Sequence, residues 1–231
     1  MRAPESYVRW MNQNIGFNPR AQQNSNALSE FVVADLVASC PAVRTAIESE
    51  VLTPKKNSEV NTASAVRTVD LVLFEKLKLP LVSVCISVEN KTIMTAHGKA
   101  RKNRYGDIIA YSNHMHNHRR ECVAGAIVVV NVSPKYENPD EFAKGLERPK
   151  FDMDKIVTDT INIFRRIPLR NEPGDPSDQP EALAVIVVDY DGESAAKLVK
   201  GSLAPQTGGS IHYESFIERI GSLYGRRFSG R

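Results

Sequence analysis

The most regular pattern of apolar and polar positions in the chain runs from Leu81 to Lys91. One face of this segment carries four β-branched residues: Val82, Val84, Ile86 and Val88. The other face begins with small residues and ends with Glu89 and Lys91, which point the same way because they are two positions apart. This alternation predicts a β-strand. Since an acid and a base are costly to keep at the end of a core strand, the stretch is the first candidate for function.

A second β-rich segment, Ala65 to Phe74, comes before it, and residues 76–80 are predicted to form the turn of a hairpin. Asp70 lies inside this segment among apolar residues, where a carboxylate needs a partner. Asp70 and Glu89 stand at comparable distances from the turn, so we expect them to lie within one side-chain length of each other. Two carboxylates that close repel unless a cation neutralises them. Magnesium suits such a set of oxygen ligands.

Helical and strand periodicities continue along the rest of the chain. Predicted helices cover residues 26–40, 41–50, 99–118, 153–167, 193–200 and 212–224, and predicted buried strands cover residues 123–132 and 182–190. Residues 53–62 and 133–150 are predicted to be polar connections. This order predicts an α/β domain of three layers, in which a mixed central sheet is flanked by helices.

The composition fits one domain with a sizeable core, because 42% of the 231 residues are hydrophobic and 25% are charged. Residues 1–25 are polar and predict a loosely structured arm anchored by Trp10 and Phe17, followed by a single domain over residues 26–231. The three cysteines are not closely spaced, which argues against disulfides or a zinc ribbon and favours the cytoplasm. The chain has no run of about 18 apolar residues and no apolar secretion signal, so no membrane segment is expected.

A basic segment follows the alternating strand. Four cations occupy six positions there: Lys99, Arg101, Lys102 and Arg104. On the first turns of a helix they could follow the phosphates of a nucleic acid, and the net charge of +3 permits such a partner. The alternative is a solvated basic face without a partner.

The acid and the E-x-K sequence together resemble a known signature. Val69-Asp70 followed by Glu89-Asn90-Lys91 is similar to the motif of the PD-(D/E)xK nucleases, which include many type II restriction endonucleases. The resemblance covers residues 65–132, with a hairpin that carries the acid and E-x-K, then a helix, then a buried strand. Val69 stands where the motif often has proline. The resemblance implies a restriction-endonuclease-like core.

The resemblance also implies roles for individual residues. In such nucleases the acid, the glutamate and the main-chain carbonyl of the middle residue bind magnesium, and here these are Asp70, Glu89 and Asn90. The lysine, here Lys91, positions or activates water. A further ligand often comes from the first helix, where Glu30 is the candidate. Glu48 and Glu59 are not excluded.

The function implied is a Mg²⁺-dependent endodeoxyribonuclease acting on double-stranded DNA, such as a type II restriction enzyme or a related defence nuclease. A homodimer is expected if the target is palindromic. The alternative is a non-catalytic nucleic-acid-binding or assembly protein with the same fold. A further interpretation needs no active site. In it, Glu89 and Lys91 form an ion pair at the surface, and Asp70 forms a salt bridge to Arg67 or Lys76.

Two other motifs suggest metal chemistry. His114, His116 and His118 form H-x-H-x-H, and two of them share a helix face at a spacing that could bind zinc. A polar helix end without metal is the alternative. The D-x-D sequence from Asp189 to Asp191 follows a buried strand and could bind magnesium in a phosphatase-like enzyme, or it could form a turn with a helix cap.

Two further groups of residues could contact DNA. Five arginines could meet its backbone or could instead be ordinary helix-end cations: Arg165, Arg166, Arg170, Arg226 and Arg227. Base-reading residues are expected in the irregular segments 133–150 and 168–180.

Overall fold

The computed structural model describes residues 1–18, 21–62, 65–76, 82–133 and 152–228. Helices and strands occur in the following order: α1 (Ala3–Gln13), α2 (Gln22–Ser39), α3 (Pro41–Glu48), β1 (Leu52–Asn61), β2 (Val66–Lys76), β3 (Val82–Ile93), α4 (His97–His118), β4 (Val123–Asn131), α5 (Met153–Arg165), β5 (Ala182–Asp189), β6 (Lys197–Leu198), a 3₁₀ turn (Gly201–Leu203) and α6 (Tyr213–Phe228). The predicted turn at 76–80 and connection at 133–150 lie almost wholly outside the described residues.

The strands form one mixed sheet in which spatial order follows chain order, from β1 to β6. The first three strands are antiparallel neighbours. β4 is parallel to β3 and β5 is parallel to β4, while the short β6 runs antiparallel at the edge. The change from antiparallel to parallel pairing requires a crossover after β3, and α4 supplies it.

Both faces of the sheet are covered, which confirms the predicted three-layer α/β architecture. Alternate residues of β5 divide between the two sides: Ala184 and Ile186 face one core, and Val185 and Val187 face the other. The first core packs against α1, α2, α3 and α6, and the second against α4 and α5. β4 is buried along its whole length, as the continuous apolar run predicted.

The alternation in β3 is less uniform than the sequence predicts. The pairing with β2 shifts register between Leu73 and Phe74, so that one strand has an extra residue there. As a result Val84 packs in a small core beside α4, whereas Ile86 and Val88 pack on the other side of the sheet. A bulge reverses the faces on its two sides, so the prediction that Val84, Ile86 and Val88 share one apolar face was wrong.

The first residues of the chain do not form a loose arm, contrary to the prediction. α1 begins with proline in its first turn, and its apolar side buries Tyr7 and Met11 in the main core. The proposed anchors behave as predicted, because Trp10 contacts Phe17 at 5.2 Å between ring centroids and Phe17 stacks on Tyr190 at 5.3 Å. Amphipathic spacing hidden among Asn and Gln residues explains the error.

Three other segments also differ from the prediction. The polar residues 53–62 form most of β1, an edge strand that tolerates Pro54 and charged side chains because it has a neighbouring strand on one side only. Residues 193–200 contain the two-residue β6 instead of a helix. The last helix, predicted to end at residue 224, continues to Phe228 at the end of α6.

In the described part of the chain, no single helix is long and apolar enough to cross a membrane. α2 and α3 pass that test of length and composition only as a pair, and they are bent by 106° relative to each other.

Candidate active site

The fold brings Asp70, Glu89 and Lys91 together where β2 and β3 run side by side. The Nζ atom of Lys91 lies 2.6 Å from Oε1 of Glu89, on the face that period-two alternation predicts for both. Oδ2 of Asp70 accepts a hydrogen bond of 2.7 Å from the backbone N–H of Asn90, the residue between them. The three groups are therefore neighbours in space, although 21 positions separate Asp70 from Lys91 in the sequence.

The two carboxylate oxygens of Glu89 differ in their hydrogen-bond partners. Oε1 accepts hydrogen bonds from Lys91 and, at 3.0 Å, from Nη2 of Arg67. Oε2 is buried and has no hydrogen-bond partner among the described residues. Because Glu89 is only 3% exposed, it is not part of a surface pair with Lys91, as the interpretation without an active site expected. A buried carboxylate oxygen without a donor is costly, and a bound cation is one way to compensate it.

The electrostatic environment of Asp70 is unfavourable to its charge. Burial, and then the negative charge of Glu89, raise the pKa of the Asp70 carboxyl, and the hydrogen bond from Asn90 opposes this only in part. Arg67, one of the partners expected for Asp70 in a non-catalytic protein, instead contacts Glu89. A carboxyl whose ionised form is disfavoured by burial and by a nearby negative charge is a frequent feature of functional sites.

The strand pairing is distorted beside Asp70. Lys56 pairs with Leu71 and Ser58 with Val69, while Asn57 between them adopts a left-handed backbone with φ of 49°. Asn is one of the few residues that adopt this conformation readily. An irregularity at this place changes the direction of the neighbouring side chains, as is common next to functional sites.

Asn90 ties the site to the start of α2. Its side-chain amide donates to the hydroxyl of Ser25 at 3.1 Å and to that of Ser29 at 2.9 Å. Ser25 also hydrogen-bonds to Asp70, which lowers the pKa of that carboxyl slightly against the larger effect of burial. No local pattern of residues predicts the role of Ser29 or the pairing of Arg67 with Glu89, because both depend on contacts between distant segments.

Glu30, the predicted additional ligand, follows Ser29 on α2. Its carboxylate forms an ion pair with Lys56 of β1, and its side chain is 62% exposed. The alternatives Glu48 and Glu59 are exposed as well. The role of Glu30 as a ligand stays a prediction.

A metal ion at this place would have few protein ligands. In the residues that the structure covers, no three or more His, Cys, Asp or Glu side chains are grouped so as to hold a metal. Asp70 and Glu89 supply two carboxylates, and the main-chain carbonyl of Asn90 is the third group that the resemblance implies. Magnesium commonly binds through one or two carboxylates and keeps several waters. The donor set and the unpaired Oε2 fit this ion better than zinc.

The basic segment divides into two pairs. Lys99 and Lys102 are exposed on the first turns of α4. Arg104 donates to Asp107 at 2.8 Å and to the carbonyl of Thr92 at 3.4 Å, next to Lys91. Arg101 lies 3.9 Å from Asp159 of α5, and its side chain is 21% exposed. Among the described residues, the two lysines are thus exposed and form no ion pair with a carboxylate of α4 or α5, and DNA binding by the four residues stays a prediction.

The three histidines of H-x-H-x-H contact protein oxygens. His114 hydrogen-bonds to the carbonyl of Val60 at 2.9 Å and His118 to that of Asn61 at 2.8 Å, so both connect α4 to the end of β1. His116 points into the protein toward Glu181. All three rings thus have oxygen partners in the protein, and zinc binding by His114 and His118 stays a hypothesis.

The D-x-D sequence forms a turn. Oδ1 of Asp191 accepts hydrogen bonds from the backbone N–H groups of Glu193 and Ser194 at 3.0 and 2.6 Å. This is an Asp side chain stabilising the following backbone, which is the alternative to a phosphatase-like site.

Two of the five arginines are buried in a second cluster of charges around Glu181. Oε1 of Glu181 accepts from Arg170 at 3.2 Å and from Arg227 at 2.8 Å. Oε2 accepts from the backbone N–H of Ala124 at 2.8 Å and contacts His116 at 2.9 Å. Arg170 and Arg227 thus hold a buried carboxylate, a role that neither of the two interpretations of the five arginines included.

Comparison of the chain with protein-family models and with curated proteins gave no match.

Proposed function

We propose that the protein is a Mg²⁺-dependent endodeoxyribonuclease of the PD-(D/E)xK type. The observation that carries the proposal is the E-x-K strand itself: Lys91 pairs with Glu89, Asp70 hydrogen-bonds to the backbone of Asn90 between them, and a buried oxygen of Glu89 has no hydrogen-bond partner in the described ranges. The pairing of the strands adds support: a hairpin carries the acid and E-x-K, α4 follows, and β4 returns parallel to β3. The hairpin, the helix and the buried strand that carry the resemblance to PD-(D/E)xK nucleases are all present in that order.

Each residue has a chemical task in this proposal. Asp70, Glu89 and the carbonyl of Asn90 would hold the ion, which when bound neutralises the attacked phosphate and lowers the pKa of a water molecule. Lys91 presents a positive charge on the same face as Glu89 and is 18% exposed, so it can meet a phosphate at the surface. Asn90 keeps this part of β3 fixed to α2 through Ser25 and Ser29.

The substrate proposed is double-stranded DNA. Lys99 and Lys102 are exposed on α4, which begins four residues after β3 ends. Cations in such a position would track the phosphate backbone without reading its sequence. The resemblance implies a restriction or defence role, with a homodimer on a palindromic target, and the three free cysteines favour the cytoplasm.

The test is cleavage of supercoiled plasmid with magnesium and with EDTA, for the wild type and for Asp70→Ala, Glu89→Ala and Lys91→Ala. We expect nicking or linearisation only with magnesium, and a loss of at least about 10²–10³ in rate for each variant. Glu172→Ala and Lys155→Ala are matched controls, because these side chains are 64% and 68% exposed in surface ion pairs elsewhere.

Wild-type cleavage by folded Glu89→Ala would contradict the proposal. Plasmid binding without cleavage at any magnesium concentration would favour the alternative, a non-catalytic nucleic-acid-binding protein with the same fold.

A further inference from the structure

A fourth charged residue, Arg67, belongs to the cluster around Glu89. Its Nη2 lies 3.0 Å from Oε1 of Glu89, and its guanidinium carbon lies 5.6 Å from the centroid of the Tyr111 ring. Tyr111 is fully buried on α4 and donates a 2.7 Å hydrogen bond to Ser87. Arg67 is thus held between a fixed aromatic ring and a carboxylate, a geometry that suits a guanidinium.

The formal charges of the cluster cancel. Asp70 and Glu89 contribute two negative charges, and Lys91 and Arg67 contribute two positive charges, which leaves zero. Without Arg67 the sum would be minus one. A divalent cation is attracted less strongly to a neutral cluster than to a negative one, especially where burial weakens the screening by water. Both cations also occupy the same oxygen of Glu89.

We propose that Arg67 is a positioning residue that competes electrostatically with the divalent ion for Glu89. The free protein then binds the ion weakly, and a DNA phosphate, which brings negative charge to the same place, increases the affinity. This inference rests on the proposed nuclease function. By thermodynamic linkage the ion must strengthen DNA binding by the same factor. The role of Arg67 would be to limit ion binding in the absence of DNA.

The experiment is calorimetric titration of the protein with Mn²⁺ in the absence of DNA. We expect Arg67→Met to bind the ion about tenfold more tightly than the wild type, a change that corresponds to ~1.4 kcal/mol. Arg67→Lys keeps the charge and should bind like the wild type. Arg9→Met is the matched control, since Arg9 is an exposed residue of α1 and its loss changes the net charge equally.

A gain of affinity separates this role from a purely structural one, because a variant with a damaged site binds the ion less tightly. If Arg67→Met does not fold, Arg67→Gln removes the same charge and carries the same expectation. Equal Mn²⁺ affinities for the wild type and the neutral variants, in a protein that cleaves DNA with magnesium, would overturn this inference alone. A wild type that neither binds Mn²⁺ nor cleaves DNA would overturn the proposed function as well.

Discussion

The charge cluster around Glu181 and the one around Glu89 are both buried, and they are built differently. Around Glu181, each carboxylate oxygen has two close polar partners, and Arg170 and Glu181 are almost completely inaccessible. Around Glu89, both cations share one oxygen, the other has no hydrogen-bond partner within the described residues, and Arg67 and Lys91 reach solvent.

The difference separates a structural cluster from a candidate active site. Glu181 connects residues of α4, β4 and α6 with the segment that contains Arg170, so it stabilises the fold without needing any other molecule. The cluster at Glu89 includes Asp70, an acid whose pKa is raised by burial and by the negative charge of Glu89. Unfavourable electrostatics that persist in a folded protein are more frequent at functional sites than elsewhere.

The largest effect on stability is expected from Glu181→Ala. Its removal leaves the buried charges of Arg170 and Arg227 uncompensated, which typically costs about 3–5 kcal/mol. Urea unfolding monitored by circular dichroism measures the change. Glu89→Ala should cost less, because Arg67 and Lys91 are 27% and 18% exposed and can turn to water. The control Glu172→Ala should stay within about 1 kcal/mol, as expected for an exposed pair. An equal loss for Glu181→Ala and Glu89→Ala would remove the distinction between the clusters.

A smaller effect is expected in the acid range. Burial opposes the ionisation of Glu181, but contacts with His116 and Arg227 outweigh it, so the pKa lies below its ordinary value of 4.5. The stabilisation is therefore complete above pH 4.5 and is lost as the pH falls through the lowered pKa in the folded state. Glu181→Gln lacks this titration, so its free energy of unfolding should fall less steeply below pH 4.5 than that of the wild type. Parallel acid profiles for the two proteins would contradict this.

The smallest effect is a gain in stability at the proposed active site. The raised pKa of Asp70 means that its charged form is disfavoured in the folded protein. In EDTA near neutral pH, the free energy of unfolding of Asp70→Asn should therefore exceed that of the wild type by about 0.5–2 kcal/mol. Such a gain is common where a functional residue in an unfavourable environment is replaced. The difference should shrink as the pH falls and Asp70 takes up a proton. Thermal unfolding measures both, and a less stable Asp70→Asn would show that Asp70 has a structural role.

The local patterns of the chain were sufficient for most of the architecture. Continuous apolar runs predicted β4 and β5, and helical spacing predicted α2, α4, α5 and α6, because burial of one or both faces imposes these periods on the sequence. The predictions failed where polar residues concealed an element. β1 is an edge strand with one exposed side, and α1 buries only one side of a segment rich in Asn and Gln. An exposed face carries no hydrophobic signal.

The sequence by itself determined the acid, the E-x-K strand and the hairpin that joins them, since period-two alternation orients Glu89 and Lys91 to one face of β3. Only the tertiary structure decided which charges meet. It joined Arg67 to Glu89, attached Asn90 to α2, and directed Arg170 and Arg227 away from the surface to Glu181. These contacts depend on how distant segments pack and on the bulge in the β2–β3 pair, and no local pattern of residues encodes either.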